Sequence, residues 1–230
     1  QKTKCMLITS RQKRQNLSHK LPSICIKNKP IEQVTHHKVL GITIDENLNW
    51  HHHISYLCKC TSQKVYQLSK IKHFLDPTSR KLFFQAHIQS SIDYASTLWD
   101  SASANAKKPL LSLYKRALKL VLLKKSSLSE SDYKQLNILP LHHRLQYNKG
   151  LLMFKIITGN TPPTLTTKFP MNHSRNRRKL CTPIPRIDLF KSSLCYSGSI
   201  LWNSLPDSIR QHQSITTFKK YFRTHLMDSR

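Results

Sequence analysis

The chain has 230 residues and 38% apolar content, enough to bury a modest core in one large domain or two small ones and unlike a disordered composition. Thirty-eight lysines and arginines face 11 aspartates and glutamates, so the net charge is +27 and the pI near 10.2. A surface this basic asks for a polyanionic partner, nucleic acid first and a membrane surface second. No run approaches the ~18 to 20 apolar residues of a spanning helix, and no early apolar region marks a signal peptide.

The six cysteines, Cys5, Cys25, Cys58, Cys60, Cys181 and Cys195, are scattered. Without a secretory signal they read as reduced thiols, and an intracellular location, nuclear or cytoplasmic, is expected. The first residues, which start at Gln1, already read as part of a strand-forming segment, as if cut from a longer chain.

Residues 1–50 hold three short β-like runs, CMLIT at 5–9, SICIK at 23–27 and KVLGITID at 38–45, with Pro22 and Pro30 at their margins. They predict a small antiparallel remnant with too few strands to stand alone. From residue 50 the period becomes helical, with Ile54, Leu57, Thr61, Val65, Leu68, Ile71 and Leu75 on one stripe. That helix should end near Phe74, where Asp76-Pro77 supplies a cap and a first-turn proline for the next.

A third helix is expected in KKPLLSLYKRALKLVLLKK, with Leu110, Tyr114, Ala117, Leu118, Val121 and Leu122 on one side and a crowd of lysines on the other. A fourth, LHHRLQYNKGLLMFKIITGN, starts after Pro140 and closes at Gly159-Asn160. Residues 164–195 lose periodicity and carry HSRNRRKL, an irregular basic connector. The last segment reads as two short helices separated by Pro206. The expected class is α+β, mainly α, divided as 1–50, 51–125, 126–163, 164–195 and 196–230.

The densest candidate chemistry lies in HHKVLGITIDENLNWHHHISYLCK at 36–59. Zinc needs four converging ligands. Cys58 and Cys60, two apart on a helix, project to nearly opposite sides, and none of His51, His52 and His53 has a histidine four residues on. A solvated, histidine-rich helix start is the better reading, and its imidazoles predict tighter polyanion binding on acidification.

Asp45 and Glu46 are the only adjacent acids, and neighbouring strand positions point to opposite faces, so a two-metal carboxylate site is not built here. There is no G-x-S-x-G elbow, and four glycines are too few for phosphate-cradling loops. No catalytic residue and no metal ligand is assigned. What remains is distributed binding: lysines and arginines on exposed helix faces to track phosphates, with Tyr66, Tyr114, Tyr133, Trp99 and Trp202 as stacking candidates.

Taken in order, several segments resemble the C-terminal part of a non-LTR (LINE-type, jockey-like) retrotransposon reverse transcriptase. KTKCMLIT resembles the stretch that follows the catalytic aspartates, and KVLGITIDENLNWHHHI resembles the primer grip and the start of the thumb. RKLFFQAHIQSSIDYASTLWDSA, with Tyr94 and Trp99, resembles a later thumb stretch. LYKRALKLVL, YKQLNILPLHHRLQYNKGLLMFKIITGNTPPTL and LWNSLPDSIRQHQSITTFKKYFRTHL follow in the family's order.

The resemblance implies a palm-end remnant, a helical thumb and a helical C-terminal region that clamp RNA template and DNA primer. Lys2 matches a lysine placed near the incoming nucleotide, and Leu40 and Gly41 match the primer-grip strand, where a glycine lets another backbone approach closely. Lys59, Lys64, Lys70 and Lys72 would hold duplex phosphates without reading sequence, and Lys115, Arg116 and Lys119 are further nucleic-acid-binding candidates.

The family's metal-binding aspartates lie upstream of these segments, so Mg2+ belongs to the complete parent enzyme, with no cofactor expected here and the N-terminal polymerase portion missing. By this reading the chain does not polymerise alone. Two alternatives stay open, a stand-alone basic nucleic-acid-binding or scaffolding protein derived from such an element, and a non-functional remnant.

Overall fold

In the computed structural model, residues 3–9, 13, 24–172 and 179–229 are described. Lys2, Ser23 of the second β-like run and residues 173–178 of the basic connector lie outside them. The strands come first: β1 (Lys4–Cys5), β2 (Cys25–Ile26), β3 (Lys29–Pro30), β4 (Glu32–Gln33), β5 (His36–Val39) and β6 (Ile42–Asp45). They form three separate two-stranded pairs. β2/β3 and β5/β6 are antiparallel, as expected of neighbours in sequence, but β1 pairs parallel with β4, which the long connection between them permits.

Helices build the rest: α1 (His51–Ile71), α2 (Pro77–Phe83), a π-helical turn (Phe84–Gln89), α3 (Ser90–Asp93), α4 (Ser96–Trp99) and α5 (Ala104–Leu122). Then follow α6 (Glu130–Leu136), α7 (Leu141–Ile157), α8 (Pro163–Thr166), α9 (Asp188–Ser192), α10 (Leu194–Ser204), α11 (Asp207–Arg210) and α12 (Ile215–Asp228). The mainly helical α+β architecture is the one the periodicity implies.

Local chemistry fixes the boundaries. Asp76 accepts from the Thr78 and Ser79 N–H groups with Pro77 in the first turn of α2, as read from sequence. α5 starts three residues before KKPLLSLYKRALKLVLLKK, because the Ser103 hydroxyl accepts from Ala106 N–H at 3.2 Å. α7 ends where Gly159 takes a φ of +74° and Asn160 N–H returns to the Lys155 carbonyl. Short helices α8 and α9 interrupt the stretch expected to be irregular, and α10, α11 and α12 replace the two expected after it.

The apolar residues collect in two clusters. The first joins α1, the α2–π–α3 segment and α5 around Leu68, Phe84, Ile88, Ile92, Leu110 and Tyr114. The second joins α7, α10 and α12 around Phe154, Trp202, Phe218 and Phe222. α7 serves both, with Leu141 and Leu145 in the first and Met153 and Phe154 in the second. Gly150 marks where α12 presses closest: a Cβ there would sit 2.2 Å from the Phe222 ring.

A polar seam ties α7 to the first cluster's helices. Arg144 grips the Asp93 carboxylate through two bonds, at 2.9 and 2.6 Å, and the Asn148 amide donates to both Asp93 and Ser96. Lys149 and Lys107 both pair with Asp100, at 2.7 and 3.0 Å. Burial pushes the Asp100 carboxyl up, but the two lysines outweigh it and hold it below the usual range.

Candidate nucleic-acid interface

β5 and β6 are joined by Leu40 and Gly41, both at positive φ (47° and 83°), the two-residue turn whose twist matches an antiparallel pair. A leucine at positive φ is unusual, and here the turn is pinned: the Tyr94 hydroxyl donates to the Leu40 carbonyl at 2.6 Å. A Cβ on Gly41 would lie 3.4 Å from the same ring. The Leu40 side chain is 86% exposed, an apolar tip presented to solvent.

The hairpin passes directly into α1 through a turn organised by one carboxylate. Asp45 is buried and accepts from the N–H groups of Asn47, Asn49 and Trp50, while the Trp50 indole donates to Ser101 at 2.6 Å. His36 stacks on His52, and His53 is buried behind β6, facing Thr43 N–H across 3.5 Å. The triple histidine is thus solvated only at His51 and His52. Burial, then the Lys38 charge, lowers the His53 pKa.

On α1 the four predicted lysines separate. Lys59, Gln63, Tyr66 and Lys70 lie at i, i+4, i+7 and i+11 and share one exposed face. Lys70 sits over the Tyr66 ring at 5.2 Å, and Lys38 of β5 sits over Tyr56 at 4.7 Å, which carries the basic stripe back to the hairpin. Lys64 is turned inward instead, donating to the His87 carbonyl at 2.9 Å and to Ser91. Lys72 is half-buried at the helix end, where its carbonyl accepts from Arg80 at 3.1 Å.

Arg80 is the basic residue whose role the charge pattern concealed. It is buried and donates to the Val121, Lys72 and Leu75 carbonyls, closing the C-terminal ends of α1 and α5 together. The remaining candidates, Lys115, Arg116 and Lys119, stand on α5 at a groove of about 600 Å³ whose lining includes no residue of α1. The structure therefore places the predicted cations in two locations rather than one.

Carboxylates are scarce and mostly occupied. Glu32, Asp93, Asp100, Asp132, Asp188, Asp207 and Asp228 each pair with a lysine or arginine, while Asp45 and Asp76 accept backbone N–H groups. Among the described residues no three His, Cys, Asp or Glu side chains cluster in a way that could hold a metal ion. No helix among them is long and apolar enough to cross a membrane.

Asp132 escaped the sequence reading altogether. It accepts the Ser129 N–H at 2.7 Å and hydroxyl at 2.8 Å, starting α6, and pairs with Lys124. The signal was the Ser129-x-x-Asp132 spacing, a variant of the capping box. Comparison with models of known protein families, with curated proteins and with solved structures returned no match to this chain.

Proposed function

We propose that this chain is the palm-end, thumb and following helical region of a non-LTR, RNA-directed DNA polymerase, and that it grips an RNA/DNA template-primer duplex through its phosphates. The observation that carries this reading is the exposed stripe of Lys38, Lys59 and Lys70, interleaved with Tyr56 and Tyr66, that runs from the hairpin along α1. It is backed by an excess of 27 cations that 11 acids cannot neutralise from within. Such contacts position a duplex and are indifferent to its sequence.

The Leu40–Gly41 tip is then the part that meets the primer backbone, held in place by Tyr94. Asp45, the carboxylate at the hairpin, is engaged in organising the turn, with both oxygens accepting backbone N–H groups. No chemical step is assigned to the chain, and its role is holding and orienting.

Fluorescence anisotropy with a labelled RNA/DNA hybrid tests the binding. Affinity is expected to fall with log[salt] at a slope of about −0.9 per phosphate engaged, steeper than about −3 in total. Lys59→Glu with Lys70→Glu should weaken it about tenfold or more. Absent binding, or a slope no steeper than about −1, overturns the reading. Translating the transcript upstream of Gln1 tests the polymerase assignment: a paired-aspartate hairpin in frame supports it, and a stop or a start codon there overturns it.

A further inference from the structure

The groove beside α5 has a different chemistry from the α1 stripe. Its walls come from α5, α6, α7 and the end of α12, and its volume of about 600 Å³ is that of a site for a small organic group rather than a duplex. On one side stand Lys115, Arg116 and Lys119, which have no carboxylate within ion-pair reach among the described residues. Glu130 is the only acid on the lining, and Lys134 faces Asp228 at 3.7 Å, so the local balance is positive.

Between the charges the surface turns apolar, with Leu111, Leu226 and Met227 beside the Tyr133 ring. His142 and His143 close the α7 wall; His143 is only 8% exposed, and its Nδ1 has no hydrogen-bond partner. Three uncompensated cations next to an aromatic and aliphatic floor match a ligand that is anionic at one end and flat and apolar at the other. A nucleotide has that form, and only an unpaired one can offer its base face, because a duplex keeps its bases stacked inside.

We propose that this groove binds one nucleotide unit of a single-stranded nucleic acid, its phosphate on Lys115, Arg116 and Lys119 and its base against Tyr133 and the Leu226–Met227 floor. The site rests on the nucleic-acid-binding reading above and deepens it, since a polymerase part that holds a duplex on α1 gains here a separate hold on an unpaired strand.

The test uses the full chain with labelled dT10, an abasic decamer carrying the same phosphates, and the RNA/DNA hybrid. The expected result is that dT10 binds about tenfold more tightly than the abasic strand, as stacking on a protein ring implies. The Lys115→Ala/Arg116→Ala/Lys119→Ala variant should weaken dT10 about tenfold or more, make its salt slope shallower by about two, and leave hybrid affinity within about twofold.

Equal affinity for dT10 and the abasic strand overturns the proposal, as does a variant that weakens hybrid and dT10 alike or neither. If the hybrid binds and dT10 does not, the groove proposal falls while the duplex reading stands. If neither binds, both fall.

Discussion

The two hydrophobic clusters are built by different means. The first is mostly aliphatic along its long helices, with Tyr114 meeting Phe84 edge-on: α1 and α5 each bury one stripe, Leu57, Thr61, Val65 and Leu68 on α1 and Leu110, Tyr114, Ala117, Leu118 and Val121 on α5, with lysines opposite. The second is aromatic, with Phe154 stacked on Phe218 at 4.6 Å, Tyr147 on Phe222 at 5.8 Å and Trp202 tilted against Phe218. A single-stripe helix keeps an entire face free for a ligand, whereas α7, buried on several sides, has little surface left to offer. The duplex site proposed here accordingly falls on the first unit, and the groove where the two meet.

The sharpest way to break this contrast is Phe222→Ala, which removes a ring exposed at 0% and should destabilise by about 3 to 5 kcal/mol, against about 2 to 5 for Leu68→Ala in the other cluster. Guanidinium unfolding followed by circular dichroism and by tryptophan fluorescence is expected to give one coincident transition for the wild type. Two separated transitions would mean that the clusters fold independently and that the polar seam couples nothing.

The seam itself comes next. Asp93→Ala removes the two bonds from Arg144 and one from Asn148 and should destabilise by about 1.5 to 3 kcal/mol. A double-mutant cycle with Arg144→Ala should return a coupling of about 1 kcal/mol or more, and simple additivity would contradict the pairing.

The smallest effects are read from pH. Bonds from Lys124, then from Ser129, hold Asp132 at about 2, and Asp100 also lies below its ordinary value of 3.8. Both groups bind protons more readily when unfolded, so the stability they contribute is present above about pH 3.8 and is lost as pH falls toward 2.

A shallower loss should begin below pH 6.5, where burial keeps His53, His142 and His143 neutral in the fold while the unfolded chain takes up protons. His143 also faces His142 and His225, with Lys115, Arg116, Lys119, Lys134 and Glu130 around the groove. His143→Gln should flatten that shallow arm. Unchanged stability from pH 7 to pH 5 in the wild type would contradict the assignment.

The first unit was legible because amphipathic periodicity is a local property. The α1 stripe and the Asp76-Pro77 cap each follow from residues within a turn or two of one another, as does the Gly159-Asn160 stop that ends α7 in the second unit. What could not be read depends on distant partners. Arg80 looks like any surface arginine until Val121, forty-one residues on, offers its carbonyl, and Lys64 looks like a phosphate contact until His87 does the same.

The groove is the clearest case. Lys115, Arg116 and Lys119 were visible as charges, but their meeting with Tyr133, His143 and Met227 needed α6, α7 and α12 to be folded around them. Helices α5 and α7 were within reach of the sequence through their apolar periodicity, and α6 through the spacing of Ser129 and Asp132; how they pack together was not.

The π-helical turn at Phe84–Gln89 acts as a phase corrector. Phe84, Ile88 and Ile92 follow at four-residue steps and are all buried to 0%. On an unbroken α-helix each such step drifts by about 40°, so Ile92 would lead Phe84 by about 80° and leave the apolar seam. The wider turn takes the drift back and keeps Arg80 at one end and Asp93 and Tyr94 at the other aimed at their separate partners. One residue of slack is thereby stored in the bundle, and the lysine that secures it, Lys64, turns its ammonium onto the His87 carbonyl to do so.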